Sequence, residues 1–216
     1  MAKIVLIILG ACFVGAAEAF YMRLLIVGSL LLIVGSLLLI AYQYRNDINI
    51  RDLCGIMLGV TLVEVVLFEF FIVTDSETMS SMAVNAIIFG AHFALDLLMF
   101  ILISNRVQFT RARLEAKGKP TDDVFLYSTE FALTSIFIVF MAVDLLALLE
   151  NFIRHLDEFG VSAEIAKIFS GWNWLFYQYK VVKGILLGIT ILFLWTITYK
   201  SGREEYKQAA QANLRA

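Results

Sequence analysis

The apolar residues of this chain come in long uninterrupted blocks, not in the alternating or amphipathic patterns of a soluble core. A bilayer core of about 30 Å requires roughly 20 apolar residues in a helix. Six blocks reach that length, at residues 2–20, 23–44, 53–74, 82–104, 128–150 and 173–199. The pattern predicts an all-α integral membrane protein, with a polytopic bundle of six transmembrane helices within residues 1–200 and a short cytoplasmic tail at 201–216.

The first two blocks leave two arrangements open, because only a short junction around Arg23 separates them. One continuous helix over residues 1–44 would be about 64 Å long at ~1.5 Å per residue, which is too long for a bilayer. We therefore expect a tight hairpin of two spans. The alternative is a first segment that lies in the membrane interface, which reduces the bundle to five spans.

The basic residues predict the direction of the spans. Twelve of the 17 Lys and Arg residues fall on one side if residues 45–52, residues 105–127 and both termini lie together. Three fall on the other side, and Lys180 and Lys183 lie within a span. Because cytoplasmic loops carry an excess of basic residues, we expect a cytoplasmic C-terminus and a location in a bacterial inner membrane.

Composition narrows the classes of function. The chain is 61% hydrophobic with a net charge of −2, and it has no basic run with interleaved aromatics, so no nucleic-acid partner is expected. Its two cysteines and two histidines form no metal-ligand spacing, and a bis-His dihaem bundle needs four histidines. No cofactor or metal is expected. Motifs of catalytic sites and of phosphate-binding loops are absent from the sequence, which argues against an enzyme.

Small residues recur along three of the blocks. The segment Leu24–Leu37 repeats LLIVGSL, which places Gly28-Ser29 and Gly35-Ser36 seven residues apart on one helix face. Two further pairs have the GxxxG spacing, namely Gly55 with Gly59 and Gly184 with Gly188. Small residues let transmembrane helices approach closely. We therefore predict helix packing at these positions, within one bundle or between copies in a homo-oligomer embedded in the lipid bilayer.

Three ionisable residues are predicted to meet near the membrane centre. Glu64 and His92 lie about ten residues from the facing ends of consecutive spans, hence roughly 15 Å deep. Asp96 follows His92 by four residues, which places it on the same helix face. Charged groups at this depth are costly and normally face a partner inside the bundle. Since the charge of histidine changes near neutral pH, Glu64, His92 and Asp96 are predicted to form a proton or ion path.

Two spans share a pattern that repeats an aspartate. IFGAHFALDLLMF (Ile88–Phe100) and IFIVFMAVDLLAL (Ile136–Leu148) align with Asp96 and Asp144 in register. Asp144 has a depth similar to that of Lys180 on the last span, with Lys183 one turn deeper. A buried ion pair between Asp144 and these lysines is therefore expected.

These residues favour a small ion- or proton-conducting membrane protein or channel subunit. The first alternative is a membrane anchor or sensor subunit of a multi-protein assembly of the stress- or phage-defence kind. It would dock a soluble cytoplasmic partner through residues 105–127 and the C-terminal tail. The second alternative is an integral subunit of a redox complex, for which the sequence offers His92 and aromatic residues.

Overall fold

A computed structural model describes residues 22–74, 76 and 78–197 of the chain, with side chains described from Gly28 onwards. Of these residues 80% are helical and none lies in a strand, which confirms the all-α prediction for the described part of the chain. The first predicted span at 2–20 and the predicted tail at 201–216 lie outside the described residues.

Seven α-helices and one 3-10 turn follow one another in the described residues. In chain order they are α1 (Met22–Gln43), α2 (Ile48–Phe70), α3 (Ser81–Ser104), α4 (Arg106–Glu115), α5 (Ser128–Arg154), the 3-10 turn Leu156–Phe159, α6 (Ala163–Phe169) and α7 (Trp174–Thr196).

Four helical segments are long and apolar enough to cross a membrane. They are α2, α3, α5 and the segment Ala163–Thr196, which includes α6 and α7. In α1 the apolar part with described side chains, Gly28–Gln43, is shorter than a span. Four segments thus support the prediction that the chain crosses a membrane, and the number of six spans remains a prediction.

A polar cap extends α2 beyond the limit of its apolar block. Residues 45–52 were expected to be a polar connection, yet α2 already begins at Ile48. The Asp47 carboxylate accepts hydrogen bonds from the backbone N–H groups of Asn49 at 3.0 Å and Ile50 at 3.4 Å. These are donors that the first turn of a helix leaves without an intrahelical partner, so the capping carboxylate accounts for the earlier start.

The N-terminus of α7 is capped from a different helix. The Glu150 carboxylate, on α5, accepts from the backbone N–H of Leu175 at 2.8 Å and of Phe176 at 2.9 Å. A carboxylate at a helix N-terminus also interacts favourably with the helix dipole. Glu150 therefore holds the start of α7 against the end of α5.

Two of the connections between the predicted spans contain helices. Residues 105–127 include α4, which begins two residues after α3 ends, and residues 151–172 include the 3-10 turn and α6. The 3-10 turn ends at Gly160, whose φ of 79° lies in the left-handed region that glycine tolerates without a steric penalty. The polar residues of these segments therefore do not rule out helical order.

The described residues fall into two compact units. Unit 1 comprises the residues up to Leu58, Ile101–Ile136 and the residues from Leu186, and unit 2 comprises Gly59–Phe100 and Phe137–Ile185. Fully buried apolar side chains of unit 1 include Leu37, Leu53, Met57, Ile103, Leu133 and Leu194. Unit 2 has a buried core that includes Phe89, Leu95, Met99, Phe140, Val143, Ala147 and Tyr179.

Candidate functional site

One lysine of unit 2 is shared between two carboxylates from two other helices. The ammonium of Lys183, on α7, donates to Asp96 Oδ2 of α3 at 2.6 Å. It also donates to Asp144 of α5, at 2.9 Å to Oδ1 and 3.2 Å to Oδ2. Lys183 therefore connects three helices within unit 2 through charge-assisted hydrogen bonds. We call Asp96, Asp144 and Lys183 the lysine triad.

The lysine triad is largely shielded from solvent, and its charges do not balance. The Asp144 side chain is fully inaccessible, and the side chains of Asp96 and Lys183 are each 16% exposed. With all three groups ionised the triad carries a net charge of −1. Burial of uncompensated charge is costly, and one proton or one monovalent cation would neutralise the excess. The triad is therefore chemically suited to take up a single positive charge.

Tyr179 extends the triad along α7. Its hydroxyl donates to Asp144 Oδ1 at 2.7 Å, and its ring lies 5.7 Å from the Lys183 ammonium. Tyr179 precedes Lys183 by four residues, so both side chains lie on one face of the helix. The Phe140 ring also lies 4.7 Å from the ammonium, within cation–π range. The sequence suggested only an aromatic belt for Tyr179 and not a place beside the charged residues, although its spacing from Lys183 was a usable signal.

Glu64 and His92 form a second pair in unit 2. His92 Nδ1 lies 3.2 Å from Glu64 Oε1, and the imidazole stacks on the Phe68 ring with centroids 4.3 Å apart. The Glu64 side chain is 41% exposed and that of His92 is 21% exposed. The centroids of the His92 and Tyr179 rings are 6.0 Å apart. The Glu64–His92 pair is therefore more exposed to solvent than the residues around Lys183.

The predicted grouping of Glu64, His92 and Asp96 is thus divided. Glu64 and His92 are brought together, whereas Asp96 pairs with Lys183 and forms no hydrogen bond or ion pair with His92 among the described contacts. The repeated ALDLL and AVDLL patterns place their aspartates on the same ammonium. The shared register of Asp96 and Asp144 in the sequence thus coincides with a shared partner in the structure.

The expected ion pair of Asp144 involves only one of the two candidate lysines. Lys183 pairs with Asp144, while Lys180 is exposed and forms no ion pair with a described residue. The two lysines are three residues apart, and helix rotation turns only Lys183 towards the carboxylates. Depth along the span had favoured Lys180, so the direction of the side chain, and not its depth, decides the pairing.

The glycines of the small-residue pairs face open space within the single chain. A Cβ added at any of five of them would meet no heavy atom within 4 Å: Gly35, Gly55, Gly59, Gly184 and Gly188. Ser36 is buried, whereas Gly28 and Ser29 are half-buried. Close helix contacts at these five glycines do not occur within the described part of one chain, and contact between copies stays a prediction.

Unit 1 contains a buried cluster that sequence analysis missed. The fully buried guanidinium of Arg106 donates to both oxygens of Glu130, at 2.5 and 2.7 Å, and to the Phe125 carbonyl at 2.6 Å. A further bond of 3.2 Å reaches the side-chain oxygen of Asn49. Glu130 lies near the start of its predicted span, a position typical of headgroup level, but its side chain is fully buried.

No protein-family model, curated protein or solved structure matches this chain. Its function must therefore be inferred from its own residues. Within the described part of the chain, no group of three or more His, Cys, Asp and Glu residues could hold a metal ion. His92, the residue on which the redox alternative depends, is engaged by Glu64 and Phe68.

Proposed function

We propose that this protein translocates protons or small monovalent cations across a membrane. The lysine triad is the binding centre, and the Glu64–His92 pair is the route towards it. The observation that carries this proposal is the sharing of one largely buried ammonium between two carboxylates of different helices. Intramembrane ionisable residues of this kind commonly mark ion pathways and proton relays.

The triad can adopt two states of charge. With no added charge, Lys183 serves both Asp96 and Asp144, and the triad has a net charge of −1. A proton bound to one carboxylate makes the triad neutral and leaves Lys183 paired with the other. Because α3, α5 and α7 each contribute one member, the change of pairing acts on the contacts among three helices. Such a change could couple uptake of the charge to helix movement.

The Glu64–His92 pair suits the delivery of a proton to the triad. Glu64 is the most exposed acid of the group, and its carboxylate contacts the His92 imidazole, a ring whose two nitrogens can each carry a proton. The Tyr179 ring lies 6.0 Å from that of His92, and its hydroxyl donates a hydrogen bond to Asp144. Among the described residues no hydrogen bond joins His92 to Tyr179, so this step requires ring rotation or a bridging water.

The test is flux through purified protein in liposomes that contain a pH-sensitive dye. A potassium diffusion potential should drive proton entry faster than in protein-free liposomes. Asp96→Asn keeps the Lys183–Asp144 pair but removes the excess negative charge, so we expect at least a tenfold loss of flux, equivalent to ~1.4 kcal/mol in the barrier. Repetition with sodium gradients distinguishes a proton from a metal cation.

Lys180→Gln is the matched control, since Lys180 lies on the same helix and is exposed. It should conduct like the wild type. Thermal unfolding of each variant shows whether a loss of flux reflects loss of the fold. Flux equal to that of empty liposomes, or wild-type flux in folded Asp96→Asn, contradicts the proposal.

The proposed location is a bacterial inner membrane with a cytoplasmic C-terminus, supported by the distribution of Lys and Arg residues. Reporter fusions at Ser80 and at the C-terminus should report opposite sides of the membrane. Reporters on the same side would refute the proposed orientation without bearing on the lysine triad.

A second candidate function is a membrane anchor for a soluble partner. The helical structure within residues 105–127 favours it. Arg106 fixes the start of α4 by its buried contacts, while Arg111, Arg113 and Glu115 are exposed on the same helix. Absence of flux above protein-free liposomes, together with a partner whose co-purification depends on these exposed charges, would favour the anchor.

A further inference from the structure

A groove in unit 1 combines a basic rim with an apolar wall. It has a volume of about 320 Å³ and is lined by residues of α2, α3 and α4. Arg51 is in the first turn of α2, and Leu102 is in the last turn of α3. The groove thus lies where two apolar spans end and a charged segment begins, which is the level of lipid headgroups if these helices cross a bilayer.

The rim of the groove carries a surplus of one positive charge. The Arg51 and Arg113 side chains are 54% and 46% exposed, and both lie near the Asp52 carboxylate, at 3.9 Å and 2.5 Å. Asp52 can neutralise only one of them. Arg106 also lines the groove, but its charge is matched by Glu130. The remaining positive charge complements one phosphate monoanion.

The wall of the groove is apolar and open. Ile56 and Leu102 line it together with Phe109, whose side chain is 52% exposed. Gly55 also lines it, and a Cβ at Gly55 would meet no atom within 4 Å. An acyl chain can lie against such a surface, whereas a free phosphate ion gains nothing from it.

We infer that this groove binds an anionic phospholipid, with the phosphate at Arg51 and Arg113 and an acyl chain along Gly55, Ile56, Leu102 and Phe109. Basic pockets at the ends of transmembrane helices are suited to anionic headgroups because the arginines supply both charge and paired donors. This inference does not rest on the proposed transport function, since none of these residues belongs to the lysine triad or to the Glu64–His92 pair.

Native mass spectrometry of the detergent-purified full chain tests the site, with titration of phosphatidylglycerol and of phosphatidylcholine. We expect preferential binding of phosphatidylglycerol. Arg51→Gln combined with Arg113→Gln should weaken that binding roughly tenfold to thirtyfold, given about 1 kcal/mol per basic residue. Lys117→Gln with Lys119→Gln removes the same charge from exposed residues outside the groove and should leave binding unchanged.

A second pair of variants tests the apolar wall without any change of charge. Gly55→Leu should fill the groove and weaken phosphatidylglycerol binding several-fold, whereas Gly35→Leu, which also faces open space but lies outside the groove, should not. Equal weakening by the arginine and lysine variants would show diffuse attraction only and overturn the inference. Binding unaffected by Gly55→Leu, or soluble glycerophosphate that competes as well as the lipid, would likewise overturn it.

Discussion

Each unit of this chain buries a cation among acidic groups, but the two clusters differ in their balance of charge. In unit 1 Arg106 meets one carboxylate, Glu130, in a two-pronged contact, and both side chains are fully inaccessible. In unit 2 Lys183 meets two carboxylates, Asp96 and Asp144, and is partly accessible. The first cluster is neutral when ionised, and the second carries a net charge of −1.

This difference suggests different roles for similar residue types. The planar guanidinium of Arg106 has its donors directed at Glu130, Asn49 and the Phe125 carbonyl, so the cluster is complete without any added group. The ammonium of Lys183 is a compact charge that can favour either carboxylate. A balanced and saturated pair fixes a structure, whereas an unbalanced triad can gain or lose a charge.

The largest expected effect comes from breaking the balanced pair. Arg106→Met leaves the Glu130 carboxylate buried without its cation, which should destabilise the protein by ~3–5 kcal/mol. Thermal or denaturant unfolding in detergent measures the change. The double variant Arg106→Met with Glu130→Leu removes both charges and should recover most of the loss. If the single variant unfolds like the wild type, the pair does not stabilise unit 1.

A smaller effect is expected when one acid is removed from the triad. Asp144→Asn weakens the hydrogen bonds from Tyr179 and Lys183 but leaves the neutral Lys183–Asp96 pair, so a loss of about 1–3 kcal/mol is expected. Asp96→Asn, which affects a single contact, should cost less in the same unfolding measurement. A loss for Asp144→Asn as large as that for Arg106→Met would remove the distinction between the two clusters.

Hydropathy predicted four apolar segments that are helical in the structure, because a span across lipid requires a minimum length. The predicted block 82–104 corresponds to Ser81–Ser104, and 128–150 to Ser128–Arg154. The start of α2 was missed, since it depends on a cap by Asp47 and not on apolar residues. Helix ends are therefore the part of the fold that composition predicts least well.

The candidate site was predictable where the information lies in the spacing along one helix or in a pattern that two helices share. The register of Asp96 with Asp144 and the four-residue spacing of Tyr179 and Lys183 are both visible in the sequence. The Arg106–Glu130 pair was not, because it joins residues of different helices across a charged connection. Pairing across helices depends on rotation of each helix, which depth along a span does not determine.

A third, smaller effect is expected at Tyr179, which contacts Asp144 of the lysine triad and lies near His92. Tyr179→Phe keeps the ring but removes the hydrogen bond to Asp144, which should cost about 1 kcal/mol of stability. Under the proposed function the same change should slow proton flux, since the hydroxyl is the only group of the Tyr179 side chain that can pass on a proton. Tyr177→Phe is the control on the same helix, because Tyr177 is exposed. Equal flux in both variants would exclude Tyr179 from the path.

The smallest effect on stability is expected at Glu64, the most exposed acidic residue of the proposed path. Glu64 is 41% exposed, and its contact with His92 is a partly exposed pair of a kind worth roughly 0–1 kcal/mol. Glu64→Gln should therefore unfold almost like the wild type. It retains a hydrogen-bonding group beside His92 Nδ1 but can no longer accept and release a proton. Proton flux in liposomes should fall while the fold is kept, a separation that no variant of the Arg106–Glu130 pair should show.

The nearby Glu69→Gln, at an exposed position of the same helix, is the control. Glu64→Gln with wild-type flux would remove this pair from the path and restrict the site to the lysine triad.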